Sequence, residues 1–483
     1  METYLRDPLA ESLVESDLPE AAELFAALGT DAGPVAVRGL TGSAAALLTA
    51  RLQRAAGKTA LCLVPHGERF DEWRDDLEYF AGPAGFLALP EPDNQPYDPS
   101  SPHPGITAQR LETLSSLATA EDGSASRIVL TTVRGLLQRV PKPERLAEAV
   151  LRIRVGGTLP PDTALAHLVR LGYERFPEVE SIGHFARRGG ILDIYPVGLA
   201  DPIRLEFDGN TVVSLRRFDA ATQRSLEQLE NSVVLPRHEV LLNAETLAAV
   251  DTDGEGPTGF QEGLERFVDR YDPARGSLLD YLPRDVMVIA EDPGALRLRG
   301  EELDEEIARE YQAQQEHYPG LSPPASLFLP ASALTEALGR RGWHWMGPIG
   351  EADAPRLREA FVDCRPAEPM QRSMERLKAH LAELAANGIR AVILCDNTGQ
   401  RDRLAELIGD ATEATLAVGL IAAGFTLPRA GLAFLTDHEI FSRYRRRRRR
   451  LRRPAGSRSP SSRRSRSATT SCTKIMASAC IAA

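Results

Sequence analysis

Residues able to do chemistry fall in a few short stretches of this 483-residue chain. The first is Gly39-Leu-Thr-Gly-Ser-Ala-Ala-Ala46, between an apolar strand and a helix, where a phosphate-binding loop belongs. Gly39, Thr41, Gly42 and Ser43 suit a loop whose backbone amides face an oxyanion. Ala45, however, stands at the lysine position and Ala46 at the magnesium-binding Ser/Thr position. Both missing groups are central to phosphoryl transfer, so hydrolysis is not expected at this loop. Gly57-Lys58-Thr59 has the right ending, but Leu52 stands five residues before Gly57 and a strand follows it; Gly57 reads as a helix C-cap. Leu435-Thr-Asp-His-Glu439 mimics an acidic motor box, yet it lies in a separate domain with no phosphate loop, so a strand-end turn accounts for it.

A different chemistry is written in Gly183-His-Phe-Ala-Arg-Arg-Gly-Gly-Ile-Leu-Asp-Ile-Tyr-Pro196. It reads as a strand of apolar and basic positions, a Gly-Gly turn and a second strand closed by proline. Ile203–Phe207 and Thr211–Leu215 alternate again around Asp208-Gly209-Asn210, a hairpin signal. The resulting β-rich module is expected to present Arg175, Arg187 and Arg188 beside exposed Tyr173 and Phe185. Arginine forks pair carboxylates bidentately, which suits a protein interface. The plainer account is a solvated basic strand edge.

The elements that position these stretches follow a parallel α/β pattern. Val35–Arg38, Ala60–Val64 and Arg127–Thr132 read as strands, and Phe70–Phe80 as an amphipathic helix. The β-rich stretch covers about 141 to 218. Helical periodicity then returns over Leu242–Glu310 around the strand Val286–Ala290, and Tyr318-Pro-Gly-Leu-Ser-Pro-Pro324 reads as a linker. A second α/β unit follows, with helices over Met370–Ala386 and Gln400–Leu407 and strands over Ala391–Cys395 and Leu432–Thr436. The expected division is an α/β domain over 1–140 and 219–317, a β-rich module over 141–218, a linker over 318–327, a small α/β domain over 328–442 and a tail over 443–483.

The net charge of −11 joins opposed populations. Arg443 to Ala483 carries 13 Arg, one Lys and no acid, which leaves −25 on the body before it. So acidic a body suits a protein-binding scaffold better than broad nucleic-acid binding. No apolar run reaches membrane-spanning length, Met1–Ala10 lacks the basic and apolar regions of a signal peptide, and the five cysteines form no CxxC pair. A cytoplasmic setting with no membrane partner is expected.

The wording of Gly183–Pro196, with Arg204-Leu-Glu-Phe207 and Arg216-Arg-Phe-Asp219, closely resembles the domain that the excision-repair helicase UvrB shares with bacterial transcription-repair coupling factors, the Mfd family. Ser277-Leu-Leu-Asp-Tyr-Leu-Pro283, Phe441-Ser-Arg-Tyr-Arg445 and the Pro92–His103 stretch are similar to that family too. Absence of the loop lysine favours the coupling factors over a UvrB-type ATPase, which stands as the alternative. The resemblance implies an α/β fold: a degenerate phosphate-loop helicase-type domain with a β-rich insert, then a small α/β domain. It implies recruitment of UvrA through Arg175, Arg188 and the neighbouring aromatic Phe185. Where UvrB has a further arginine, this chain has Ala186. Ile289-Ala-Glu-Asp292 falls at the UvrB metal-box position but is followed by Pro293. For full-length members the resemblance implies ATP and magnesium as cofactors, and RNA polymerase and double-stranded DNA as partners. None of these cofactors is expected for this chain.

The resemblance stops near Arg450, where Arg/Ser low complexity begins. Codons chosen for Ala468–Ile481 and read from their third base give Asp-Tyr-Val-Val-His-Glu-Asp-His-Gly-Ile-Gly-Val-Tyr. That phrase resembles the start of the family's polymerase-interaction domain. The tail is therefore expected to be a disordered frameshift product, with a basic nucleic-acid-binding arm as the alternative.

Overall fold

The computed structural model describes residues 12, 35–119, 126–242, 262–341, 343–347, 358–409 and 414–441. The expected tail over 443–483, frameshifted or functional, lies outside them.

Short apolar runs bounded by turn residues dictate the first sheet. Ala60–Val64 and Ile128–Thr132 are buried at every position, as a parallel sheet covered on both faces requires. Its seven strands run in the order Arg358–Phe361, Val35–Arg38, Trp343–Gly347, Met287–Ala290, Ala60–Val64, Ile128–Thr132 and Phe86–Leu89. Every neighbouring pair is parallel. Helix Gly67–Phe80 covers one face, burying Phe70, Trp73, Leu77 and Phe80 at helical spacing. Helix Ala44–Ala56 ends at Gly57, whose left-handed φ of 60° lets its amide bond the Gln53 carbonyl, as the C-cap reading anticipated.

The sheets divide the chain differently from the sequence reading. Trp343–Gly347 and Arg358–Phe361 were expected in the small domain over 328–442, yet they complete the first sheet. The expected linker over 318–327 packs on the body: Leu321 is buried, the Leu327 carbonyl accepts from the Arg139 amide, and the Ser322 amide donates to the Arg266 carbonyl. Proline marked a stop to regular structure there, but apolar side chains still bury it.

The β-rich module holds a six-stranded sheet in the order Ser225–Gln228, Thr211–Phe218, Ile203–Asp208, Ile191–Ile194, His184–Arg188 and Glu174–Arg175. Pairing is antiparallel except at Glu174–Arg175, which runs parallel on the edge. Asn231–Val234 then pairs with Leu151–Arg154, so the module runs well past the expected end at 218.

A buried charge cluster fixes where the module leaves and rejoins the body. Asp272, fully buried, pairs with Arg145 and Arg275. Arg275 also donates to the backbone carbonyls of Glu239 (3.0 Å) and Arg139 (2.8 Å). Arg145 donates to the Leu241 carbonyl at 3.0 Å, and buried Arg110 holds Glu239. Burial lowers the pKa of Arg275, with Asp272 opposing that shift.

A five-stranded sheet forms the second α/β unit, in the order Arg365–Pro366, Phe425–Leu427, Leu432–Thr436, Arg390–Cys395 and Thr415–Val418. Its apolar residues do not form a wholly separate core. Val392, Leu394, Ile421, Phe425 and Phe434 share one cluster with Val37, Leu47, Trp73 and Phe80 of the first sheet's layer. Phe80 meets Phe434 edge-on with ring centroids 5.5 Å apart.

Candidate functional site

The basic face of the module is built on the strand His184–Arg188 and its edge neighbour. Arg175 is exposed on that edge. Arg188, with its side chain 49% exposed, is the last residue of the next strand, at its turn-side end. It donates to the Pro177 carbonyl at 3.0 Å and to Glu178 at 2.8 Å. Arg187 pairs with Asp162 of the helix Pro161–Arg170. The structure thus keeps Arg175 and Arg188 at the surface of one module.

Phe185 does not join them. It is 1% exposed, packed with Leu168, Leu192, Ile194 and Leu205 in the module core. The expected exposure of Tyr173 is corrected as well. That ring is 3% exposed, and its hydroxyl donates to the Leu235 carbonyl and accepts from the Val197 amide, each at 3.0 Å. Successive strand residues point to opposite faces, so Phe185 turns into the module core while Arg188 stays at the surface. Ala186 is buried too, against Val179 and Phe218 on the opposite face. The aromatic at the surface is Phe176, 38% exposed, which sequence reasoning passed over. Its ring stacks on His184, whose pKa burial lowers, so the stack carries a neutral imidazole near neutral pH.

The loop over 39–43 joins strand Val35–Arg38 to helix Ala44–Ala56. Gly39 and Gly42 have φ of 89° and 55°. The Thr41 hydroxyl lies 3.3 Å from the Cys364 sulfur. The Ser43 amide donates to the Ala423 carbonyl at 3.1 Å. Ala45 and Ala46 pack into the shared apolar cluster. The acidic pair at the neighbouring strand end has structural partners: Glu291 holds Arg69, and Asp292 caps helix Pro293–Gln314 by accepting from the Ala295 amide at 2.9 Å. Glu439, within the short helix Asp437–Phe441 that follows the strand where a turn was expected, accepts from the amides of Gly424 (2.7 Å) and Thr436 (2.9 Å). Asp396, Asp437 and His438 place potential ligand atoms within 4.8 Å of one another, a grouping that sequence spacing did not reveal. Among the described residues no helix is long and apolar enough to cross a membrane.

Residues 151–239 match the UvrB interaction domain family. The chain is 28% identical over 482 residues to the transcription-repair-coupling factor of Myxococcus xanthus, covering 86% of this chain and 39% of that protein. It is 34% identical over 201 residues to that of Escherichia coli (41% of this chain, 17% of that protein) and 26% identical over 302 residues to that of Bacillus subtilis (56% and 25%). The chain is a relative of the transcription-repair-coupling factors. It spans 39% or less of the length of these relatives. Within the matched UvrB interaction domain lie Arg175, Phe176, His184 and Arg188, so the family match and the exposed basic face coincide.

Proposed function

We propose that the module over 151–239 docks UvrA, and that this chain acts as the repair-recruiting part of a coupling factor in the cytoplasm. One observation carries the reading: the region matching the UvrB interaction domain presents Arg175 and Arg188 at its surface. Exposed arginines beside an aromatic are the usual anchors of a protein interface. In this reading UvrA supplies carboxylates to Arg175 and Arg188, and the Phe176–His184 stack replaces Phe185 as the apolar contact. Ties to stalled RNA polymerase and double-stranded DNA follow from the coupling-factor family. The residues present do not fit magnesium ATP, because Ala45 and Ala46 offer neither cation nor ligand, so no catalytic step is assigned to this chain.

Calorimetry of the full chain with UvrA tests the docking. Arg175→Ala or Arg188→Ala is expected to weaken binding by about 1–3 kcal/mol, the range for a charge-assisted interface contact. Wild-type affinity in both variants would exclude this face.

A further inference from the structure

The degenerate loop is filled from within the chain. A Cβ built on Gly39 would lie 2.3 Å from the Val362 carbonyl oxygen, and one on Gly42 would lie 2.5 Å from that of Gly424. Both contacts are closer than real side chains permit, so glycine at each position lets another stretch of main chain approach. The Val362 amide reaches back to the Arg38 carbonyl at 2.9 Å. Residues 362–364 thus lie along one side of the loop and residues 421–424 along another, while Gly42 stays open to solvent elsewhere.

Hydrogen bonding on the second side is reciprocal. The Ser43 amide, which a phosphate loop would aim at an oxyanion, donates to the Ala423 carbonyl. The Ser43 hydroxyl accepts from the Ala423 amide at 3.1 Å and donates to Asp76 at 2.8 Å. The same Asp76 oxygen accepts from the Ala422 amide at 2.6 Å. Asp76 is 5% exposed, and Glu439 holds the next amide, that of Gly424. A phosphate placed here would lose its amide to a carbonyl and meet two carboxylates. Charge and space both oppose it.

We propose that the loop over 39–43 is a latch that fastens the second α/β unit to the first sheet's layer, with Ala422–Gly424 as its permanent occupant. The glycines and Ser43 keep the shape of a phosphate loop because they receive a backbone segment. Nucleotide is shut out by that segment, over and above the missing lysine. The inference stands apart from UvrA docking, which uses residues 175–188 on a different sheet.

Hydrogen exchange of the full chain, read by mass spectrometry, tests it. Ser43→Ala and Asp76→Ala each remove a tie to residues 422–423. Amides over 421–427 are expected to exchange about tenfold faster in both, while strands 191–194 and 203–208 keep their protection. Unchanged exchange at 421–427 in both variants overturns the latch. Gly42→Ala adds the forbidden Cβ and is expected to act more strongly; should it unfold the chain, the two milder variants still decide. A second arm uses a fluorescent ADP analogue with the Ala45→Lys/Ala46→Thr double variant. No binding is expected, because the occupant remains; saturable binding overturns the proposal. Magnesium ATP added to the wild-type chain is expected to leave exchange at 421–427 unaltered, and loosening there would mean an openable nucleotide switch rather than a permanent seat.

Discussion

Phe176 lies flat on the ring of His184, with ring centroids 3.8 Å apart and planes inclined by 16°. The contact joins the edge strand's exit to the start of the next strand, and the Phe176 amide bonds the Phe185 carbonyl at 2.9 Å. Adjacent positions on the strand therefore carry aromatic contacts of different kinds, one at the surface and one in the core.

Substitution separates them. Phe176→Ala is expected to weaken UvrA binding in calorimetry with little change in the exchange protection of strands 191–194 and 203–208. Phe185→Ala should instead cost about 3–5 kcal/mol of module stability, the range for emptying a packed aromatic site. Protection of those strands should fall accordingly. Equal protection in the two variants would contradict the burial described here.

Asp272→Ala leaves Arg275 buried and Arg145 half-buried without their shared counter-charge. Breaking a buried pair from one side typically costs about 3–5 kcal/mol. The midpoint of urea unfolding of the full chain should drop to match. A shift no larger than that of a surface Asp→Ala control would show that the cluster is dispensable.

His238 contributes a pH dependence of definite sign. Burial, with Arg237 beside it, holds its pKa well below the ordinary 6.5. The folded module keeps the ring neutral, while the unfolded chain takes up a proton as pH falls through 6.5. Its contribution is therefore complete above that value and is lost as pH falls toward the folded pKa. Urea midpoints at stepped pH should decline more steeply below 6.5 in wild type than in His238→Gln. Parallel curves would remove His238 as the cause.

Restoring a lysine alone does not make an ATPase. Ala45→Lys is expected to show no magnesium-dependent phosphate release above the wild-type baseline, since Ala46 still offers no metal ligand. Turnover abolished by replacing Gly42 would contradict this.

How legible was this molecule in its sequence? Ala60–Val64, Val35–Arg38 and Leu432–Thr436 have the bounds read from their apolar runs, because a strand buried on both faces needs nothing beyond itself to be seen. Trp343–Gly347 and Arg358–Phe361 escaped notice as members of the first sheet. Their pairing with residues 35–38 spans more than 300 positions, and nothing local announces it. The basic face was half legible: arginine types and spacing pointed to Arg175 and Arg188, but alternation alone does not say which of its two sets of residues turns inward. That ambiguity misplaced Phe185 and Tyr173 and hid Phe176. At the loop, Ala45 and Ala46 showed what was lacking; only the fold shows what sits against it.

The cluster around Asp272 gives the β-rich module the mechanics of a handle with two fixed roots. Chain enters it past Arg139 and Arg145 and returns past Glu239 and Leu241, and both passages are bonded to Asp272 or Arg275. A pull on Arg175 or Arg188 by a bound partner is then shared between both roots, loaded in parallel, before it reaches the seven-stranded sheet.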